Sequence, residues 1–225
     1  MNGPIRFVVF DCDGTLVDSQ HGIVACMTLA FNDIGKGAPD AAAIRGIVGL
    51  SLDHAVAELA PSLSLAEQGA VVAGYKAAFR RSRETGSHGE ALYPGAREAI
   101  EALEEAGYLL GVATGKSMRG LKAVLDQHGL ARAFVTLQTA DNAPSKPHPA
   151  MLRQAMQEAG AEAAETLMIG DTSFDMAMAV AAGAHPLGVA WGYHPVEALR
   201  QTGASDVLGH FDELMPWLAG REVAA

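Results

Sequence analysis

Short apolar runs alternate along the chain with stretches whose apolar residues recur every three or four positions. The first run, residues 5–10, contains Val8 and Val9 and ends abruptly in acidic and glycine positions. Further runs occupy 108–113, 133–137, 166–169 and 186–190, and three of them stop at Thr114-Gly115, Gly170-Asp171 and Trp191-Gly192. Such runs read as buried strands, each delivering a loop at its carboxyl end. Between them, helical spacing covers 96–106, 117–128, 149–159 and 173–182, with helix-stopping glycines at Gly107, Gly129, Gly160 and Gly183. Pro149 suits an early helical position. Strands alternating with helices predict an α/β fold, a parallel sheet covered on both faces. In such sheets ligands bind beyond the carboxyl ends of the strands.

The alternation breaks between about Ser19 and Ser87, where the pattern is helical throughout. Ser64 and Glu67 match a capping box. Ser51 is placed to cap a helix running through Ala60, which Pro61 terminates. The predicted architecture is a Rossmann-like core of residues 1–18 and 88–225 with an inserted α-helical cap of residues 19–87. The two crossings are expected near 16–19 and 87–93.

Composition narrows the function. The chain has 225 residues, 49% of them apolar and 19% charged, enough for a sizeable core without covalent staples. Two cysteines, Cys12 and Cys26, argue against a disulfide framework and fit a reducing compartment. Residues 1–6 show no basic segment followed by a long apolar run, and no apolar stretch is long enough to span a bilayer, so the expected location is the cytoplasm. A net charge of −10 disfavours nucleic acid and anionic membranes as partners. A small anionic substrate is still allowed, because a bound divalent cation reverses the local field.

The polar clusters fall at predicted strand ends. Asp11 and Asp13, in Asp11-Cys12-Asp13-Gly14-Thr15-Leu16, lie two apart, and in extended geometry alternate residues point to one side. Two converging carboxylates need a cation or a shared proton; magnesium prefers such hard oxygen ligands. Alone, the Asp-Gly step reads equally well as a turn. Asp171 and Asp175 form a second acidic pair, able to share a helix face or simply to complement a helix dipole. Thr114 and Gly115 offer a hydroxyl and an unhindered N–H, as a phosphate site or a plain helix cap does. Lys146 sits between Ser145 and Pro147-His148-Pro149, in a loop stiffened by proline, better placed than a surface lysine to act as a fixed positive charge.

Asp-x-Asp-Gly-Thr-Leu, then Thr-Gly, then Lys-Pro-x-Pro, then Gly-Asp-(x)₃-Asp resembles the haloacid dehalogenase-like hydrolase superfamily, in that family's own order. The helical insert resembles the cap of its phosphoglycolate phosphatase and β-phosphoglucomutase branch. The resemblance implies that Asp11 attacks phosphorus and forms an aspartyl-phosphate, while Asp13 protonates the leaving oxygen and then deprotonates water. It implies Mg²⁺ held by Asp11, the Asp13 backbone carbonyl and Asp171, with Asp175 positioning the metal or its waters. Thr114 and the Gly115 N–H would bind phosphoryl oxygens, and Lys146 would offset the negative charge. Many members have Asn where this chain has Gly115.

The resemblance implies a small phosphorylated metabolite as substrate, with phosphoglycolate leading. Arg45, in a segment that approaches the active site in related enzymes, is the candidate partner for a second anionic group. His148, His194 and His54 read as structural or solvent-facing, Cys12 as a buried thiol whose pKa the flanking carboxylates raise, and Trp191 as a candidate for the pocket mouth. Three alternatives stand beside the phosphatase: a phosphosugar mutase, a metal-independent haloacid dehalogenase, which lacks the Asp13 equivalent, and a non-catalytic phosphate-binding module.

Overall fold

The computed structural model describes residues 4–85 and 90–222. Positions 1–3, 86–89 and 223–225 lie outside the described residues, and with them the first part, 87–89, of the second crossing. In chain order the elements are β1 (Phe7–Phe10), β2 (Val17–Asp18), α1 (Gln20–Asp33), α2 (Ala41–Arg45), α3 (Leu52–Leu59), α4 (Leu65–Glu84), β3 (Ala91–Leu92), α5 (Ala96–Glu105) and β4 (Leu109–Thr114). These are followed by α6 (Met118–Gln127), β5 (Thr136–Thr139), α7 (Ala150–Ala159), β6 (Thr166–Gly170), α8 (Ser173–Ala182), β7 (His185–Val189), α9 (Val196–Gln201), β8 (Val207–Leu208) and α10 (Leu214–Glu222).

Six strands form one parallel sheet in the order β5-β4-β1-β6-β7-β8. Alternation along β1 shows why both faces are covered. Val8 and Phe10 join the cluster built with Ile100 and Leu103 of α5, Leu121 and Leu125 of α6, and Leu214 of α10. Phe7 and Val9 face the other way, onto Met151 and Leu152 of α7 and Met178 of α8. Because β1 lies inside the sheet, all four of its residues are buried.

The five predicted strands are present. The third sits later than its apolar run: residues 136–139 pair with β4, while Leu130 and Phe134 ahead of them pack into the core as loop. Each glycine expected to stop a helix follows its helix end within two residues, at positive φ.

Helices α1 to α4 carry their own core of Ile23, Met27, Phe31, Ile44, Val56 and Val71. The Ser64–Glu67 capping box is formed. Ser51 holds the cap position of α3, but its hydroxyl meets His54 Nδ1 at 2.8 Å instead of a backbone N–H. The short antiparallel pair β2–β3 brackets this helical segment. Among the described residues no helix is long and apolar enough to cross a membrane.

Candidate active site

The carboxyl ends of β1, β4 and β6 bring Asp11, Thr114 and Asp171 to one edge of the sheet, because β1 is hydrogen-bonded to both neighbours. Gly14 makes the turn after β1 at φ 86°, and a Cβ there would run into the Asp171 carboxylate and the Tyr193 ring. The loop is pinned from outside by Trp191, whose Nε1 donates to Thr15 O at 3.0 Å. Trp191 therefore braces the motif and packs on Phe211 instead of lining the pocket mouth.

Carboxylate oxygens of Asp11, Asp171 and Asp175 all lie within 4.8 Å of one another, and all three residues are buried. Lys146, itself fully buried, places Nζ 2.6 Å from Asp175 Oδ1 and 3.0 Å from Asp11 Oδ2. Asp175 Oδ2 accepts from the Thr172 N–H and hydroxyl at 3.0 and 2.6 Å, closing the capping box of α8. Asp171 accepts from the Thr15 hydroxyl at 2.8 Å and the Tyr193 N–H at 2.9 Å. Asp11 Oδ1 accepts from the Cys12 N–H at 2.6 Å, whereas the buried Oδ2 accepts no well-aligned hydrogen bond.

Three buried carboxylates beside one ammonium are a deficit of positive charge. Burial pushes Asp11 up to about 7, Lys146 opposing and Asp175 adding to the shift. Asp171 is raised well above the usual carboxylate range, by burial first and then by Asp175 and Asp11. A divalent cation at Asp11 and Asp171 would answer that deficit, so the residues fit a hard metal ion. Both Asp175 oxygens are already bonded, which suits it to holding Lys146 in place.

Asp13 lives in a different environment. Its carboxylate accepts from Lys116 Nζ at 2.7 and 2.9 Å and from the Ser19 hydroxyl at 2.6 Å. Burial raises its pKa, but the Lys116 charge and these hydrogen bonds outweigh that and hold it below the usual carboxylate value. Sequence reasoning missed Lys116. The same ammonium lies 2.8 Å from Glu90, which also pairs with Arg83 at 2.7 Å, so a buried ion chain runs from Asp13 to the end of α4. A Lys after Thr-Gly carries no signal of its own, and Glu90 is distant in sequence.

Thr114 is buried, and its hydroxyl accepts from the Lys116 N–H at 3.2 Å. Gly115 lines the cleft above Asp11. A Cβ at this position would stand 2.5 Å from Leu50 O and 2.6 Å from Gly49 O, so the loop after α2 rests directly on it. A second link joins the same loop to the core: the Ser51 N–H donates to Ser145 Oγ at 2.8 Å. Arg45 is not among the residues lining the cleft; it ends α2, and the following turn presents Val48 to Leu50 instead. The arginines on the cleft are Arg80 and Arg83 of α4 and Arg119 of α6. His148 Nδ1 accepts from Ala150 N, His194 Nδ1 from Ser173 N, and His54 meets Ser51. Cys12 is buried, with its thiol pKa raised by burial and by Asp13.

A parallel sheet carrying this acidic and lysine-bearing edge defines a class of α/β hydrolase. The family model for haloacid dehalogenase-like hydrolases matches residues 8–189, and the chain belongs to that family. It is 38% identical over 210 residues to the probable phosphatase IndB of Dickeya dadantii (strain 3937), covering 92% of this chain and 91% of that protein. It is 33% identical over 230 residues to a phosphoglycolate phosphatase of Mesorhizobium japonicum (strain LMG 29417 / CECT 9101 / MAFF 303099), covering 100% and 99% of the two chains. The structure of a predicted phosphatase from Clostridium acetobutylicum shares the fold at TM-score 0.87, with 24% identity and coverage of 97% and 100%. The chain is thus a haloacid dehalogenase-like hydrolase of the phosphatase kind.

Proposed function

We propose that this hydrolase is a Mg²⁺-dependent phosphatase that cleaves small phosphate monoesters through an aspartyl-phosphate on Asp11. The observation that carries the reading is the buried cluster of Asp11, Asp171 and Asp175 around one lysine. Asp11, the Asp13 backbone carbonyl and Asp171 hold the metal; when bound, it supplies Lewis-acid stabilisation of phosphoryl charge.

A carboxylate oxygen of Asp11 attacks phosphorus and the bond to the ester oxygen breaks. Lys146 neutralises negative charge beside Asp11, and Thr114 with the Gly115 N–H binds phosphoryl oxygens. Asp13 gives a proton to the departing alkoxide; it then takes one from the water that attacks the phospho-enzyme, releasing phosphate and restoring Asp11. Asp13 is ionised in its resting ion pair; the charge of an arriving phosphate raises its proton affinity, and it takes up a proton from solvent before the ester bond breaks. The helical segment of residues 19–87 acts as the cap that closes over this site. Phosphoglycolate, named for several relatives, is the reference substrate. Asp13, in its own ion pair, opposes the dehalogenase alternative.

The test is Mg²⁺-supported phosphate release over a panel of small esters. Asp11→Asn is expected to lower kcat by roughly 1,000-fold or more. Full activity in that variant overturns the mechanism. Transfer of phosphate to a second sugar hydroxyl without net release identifies a mutase instead.

A further inference from the structure

Resting on the phosphatase reading above, the shape and lining of the cleft say what kind of alcohol leaves. The space between Asp11 and the helical segment measures about 680 Å³. Clefts of about 300–1,000 Å³ hold drug-sized ligands, so this one, open at its rim and shared with the phosphoryl group, has room for an alcohol larger than glycolate. One part of its wall is apolar: Ile23 and Met27 from α1, Val48 and Leu50 from the loop after α2, and Tyr75 and Phe79 from α4. The Tyr75 and Phe79 rings lie 5.8 Å apart at 31°, and Arg83 and Lys116 stand 5.3 and 5.4 Å from the Phe79 ring centre.

A carboxylate on the leaving group needs an uncommitted cation close to Asp11. The two cations deep in the cleft are already engaged. Lys116 is bonded to Asp13 and lies 2.8 Å from Glu90, while Arg83 bonds Glu90 at 2.7 Å and Gly120 O at 3.2 Å. Lys76, Arg80 and Arg119 are exposed at the rim, where Asp53, Glu84 and Asp141 also line the opening. Diverting Lys116 or Arg83 to a substrate anion would strip Glu90, 1% exposed, of a counter-charge in a dry site. The Tyr75 hydroxyl, by contrast, has no hydrogen-bond partner among the described residues and can meet one polar substituent.

We propose that the preferred substrate is a phosphate monoester whose alcohol is a flat, largely apolar or aromatic body, larger than a two- or three-carbon acid. The phosphoryl group sits at Asp11 and the alcohol lies against Leu50, Tyr75 and Phe79, with water excluded by the loop resting on Gly115.

Benzyl phosphate, ethyl phosphate and phosphoglycolate test this, since all three release a primary alcohol and differ in what the cleft must hold. With Mg²⁺ and wild-type enzyme, kcat/KM for benzyl phosphate is expected to exceed that for each of the other two by about 10-fold or more, the discrimination an apolar pocket gives. Leu50→Ala is expected to shrink the benzyl-to-ethyl ratio severalfold. Inhibition of the wild-type enzyme adds a readout independent of any variant: benzylphosphonate should bind at least about 10-fold tighter than phosphonoacetate. Greatest kcat/KM for phosphoglycolate, or tighter binding of phosphonoacetate, overturns the inference and leaves the phosphatase reading intact. No Asp11-dependent phosphate release from any of the three overturns the phosphatase reading and this inference with it.

Discussion

At the scale of single residues, the two carboxylates of the first motif divide their work through their cations. Asp11 faces Lys146, and Asp13 faces Lys116. The motif itself was legible in sequence, as were Thr114 and Asp171, because each lies at the end of an apolar run; Lys146 was legible from its proline-stiffened loop and Asp175 from its spacing to Asp171. Lys116 was not legible, since its partners Asp13 and Glu90 are brought to it only by folding. Its replacement gives a direct measure of that chain. Lys116→Met leaves Asp13 and Glu90 buried without their shared cation, and removing one partner of a buried pair costs about 3–5 kcal/mol. Urea denaturation is expected to show a loss of that size. Adding Glu90→Gln to the same chain should recover part of it, because one of the two carboxylates that lost Lys116 is then neutral. A single-variant loss within experimental error would mean the ion chain contributes nothing to the fold.

At the scale of elements, periodicity found the strands long enough to show it. β1, β4, β6 and β7 and the helices α5 to α8 lie where the pattern put them, within a residue or two. The shift of β5 has a physical cause: Leu130 and Phe134 are apolar because they pack, while the pairing with Gly111 to Thr114 selects residues 136–139 as strand. The two-residue strands β2, β3 and β8 are too short for any period to register. Contacts between elements were equally hidden. Gly115 reads in sequence as a missing side chain, whereas in the fold it is the floor on which the Gly49–Leu50 backbone rests. Gly115→Asn must push that loop away. Overpacking of this kind costs about 1–3 kcal/mol, and the helical segment can relieve it by standing off the core. The cost then falls on closure more than on folding. A drop in kcat/KM of roughly 10-fold, with a melting temperature changed by little, is the expected pair of results. An unchanged kcat/KM with a clear fall in melting temperature would show the contact to be structural only.

At the scale of the whole molecule, a chain of net charge −10 concentrates three buried carboxylates at one sheet edge, and the cost of that arrangement depends on pH and metal. Asp11 is raised to about 7 and Asp171 is raised as well, both first by burial. A carboxyl whose folded pKa lies above its unfolded value binds more protons in the native state. Stability from these groups is therefore fully present below the unfolded carboxylate range and is lost as pH rises toward about 7. Without metal, the fold should weaken across that interval. Magnesium bound as proposed would take the ionised carboxylates and so release the protons they hold. Each proton released makes the apparent Mg²⁺ affinity fall by about 10-fold per pH unit below the raised pKa. Melting curves between pH 5.5 and 8.5, in EDTA and in excess Mg²⁺, separate the two effects. The Mg²⁺-induced rise in melting temperature should be small at the acid end and grow through neutrality, while the EDTA series declines over the same range. Asp171→Asn removes one of the raised carboxyls and a proposed metal ligand together, so it should flatten the EDTA decline and shrink the Mg²⁺ response. A Mg²⁺ shift that is constant across the range would mean that the cluster is not where the ion binds.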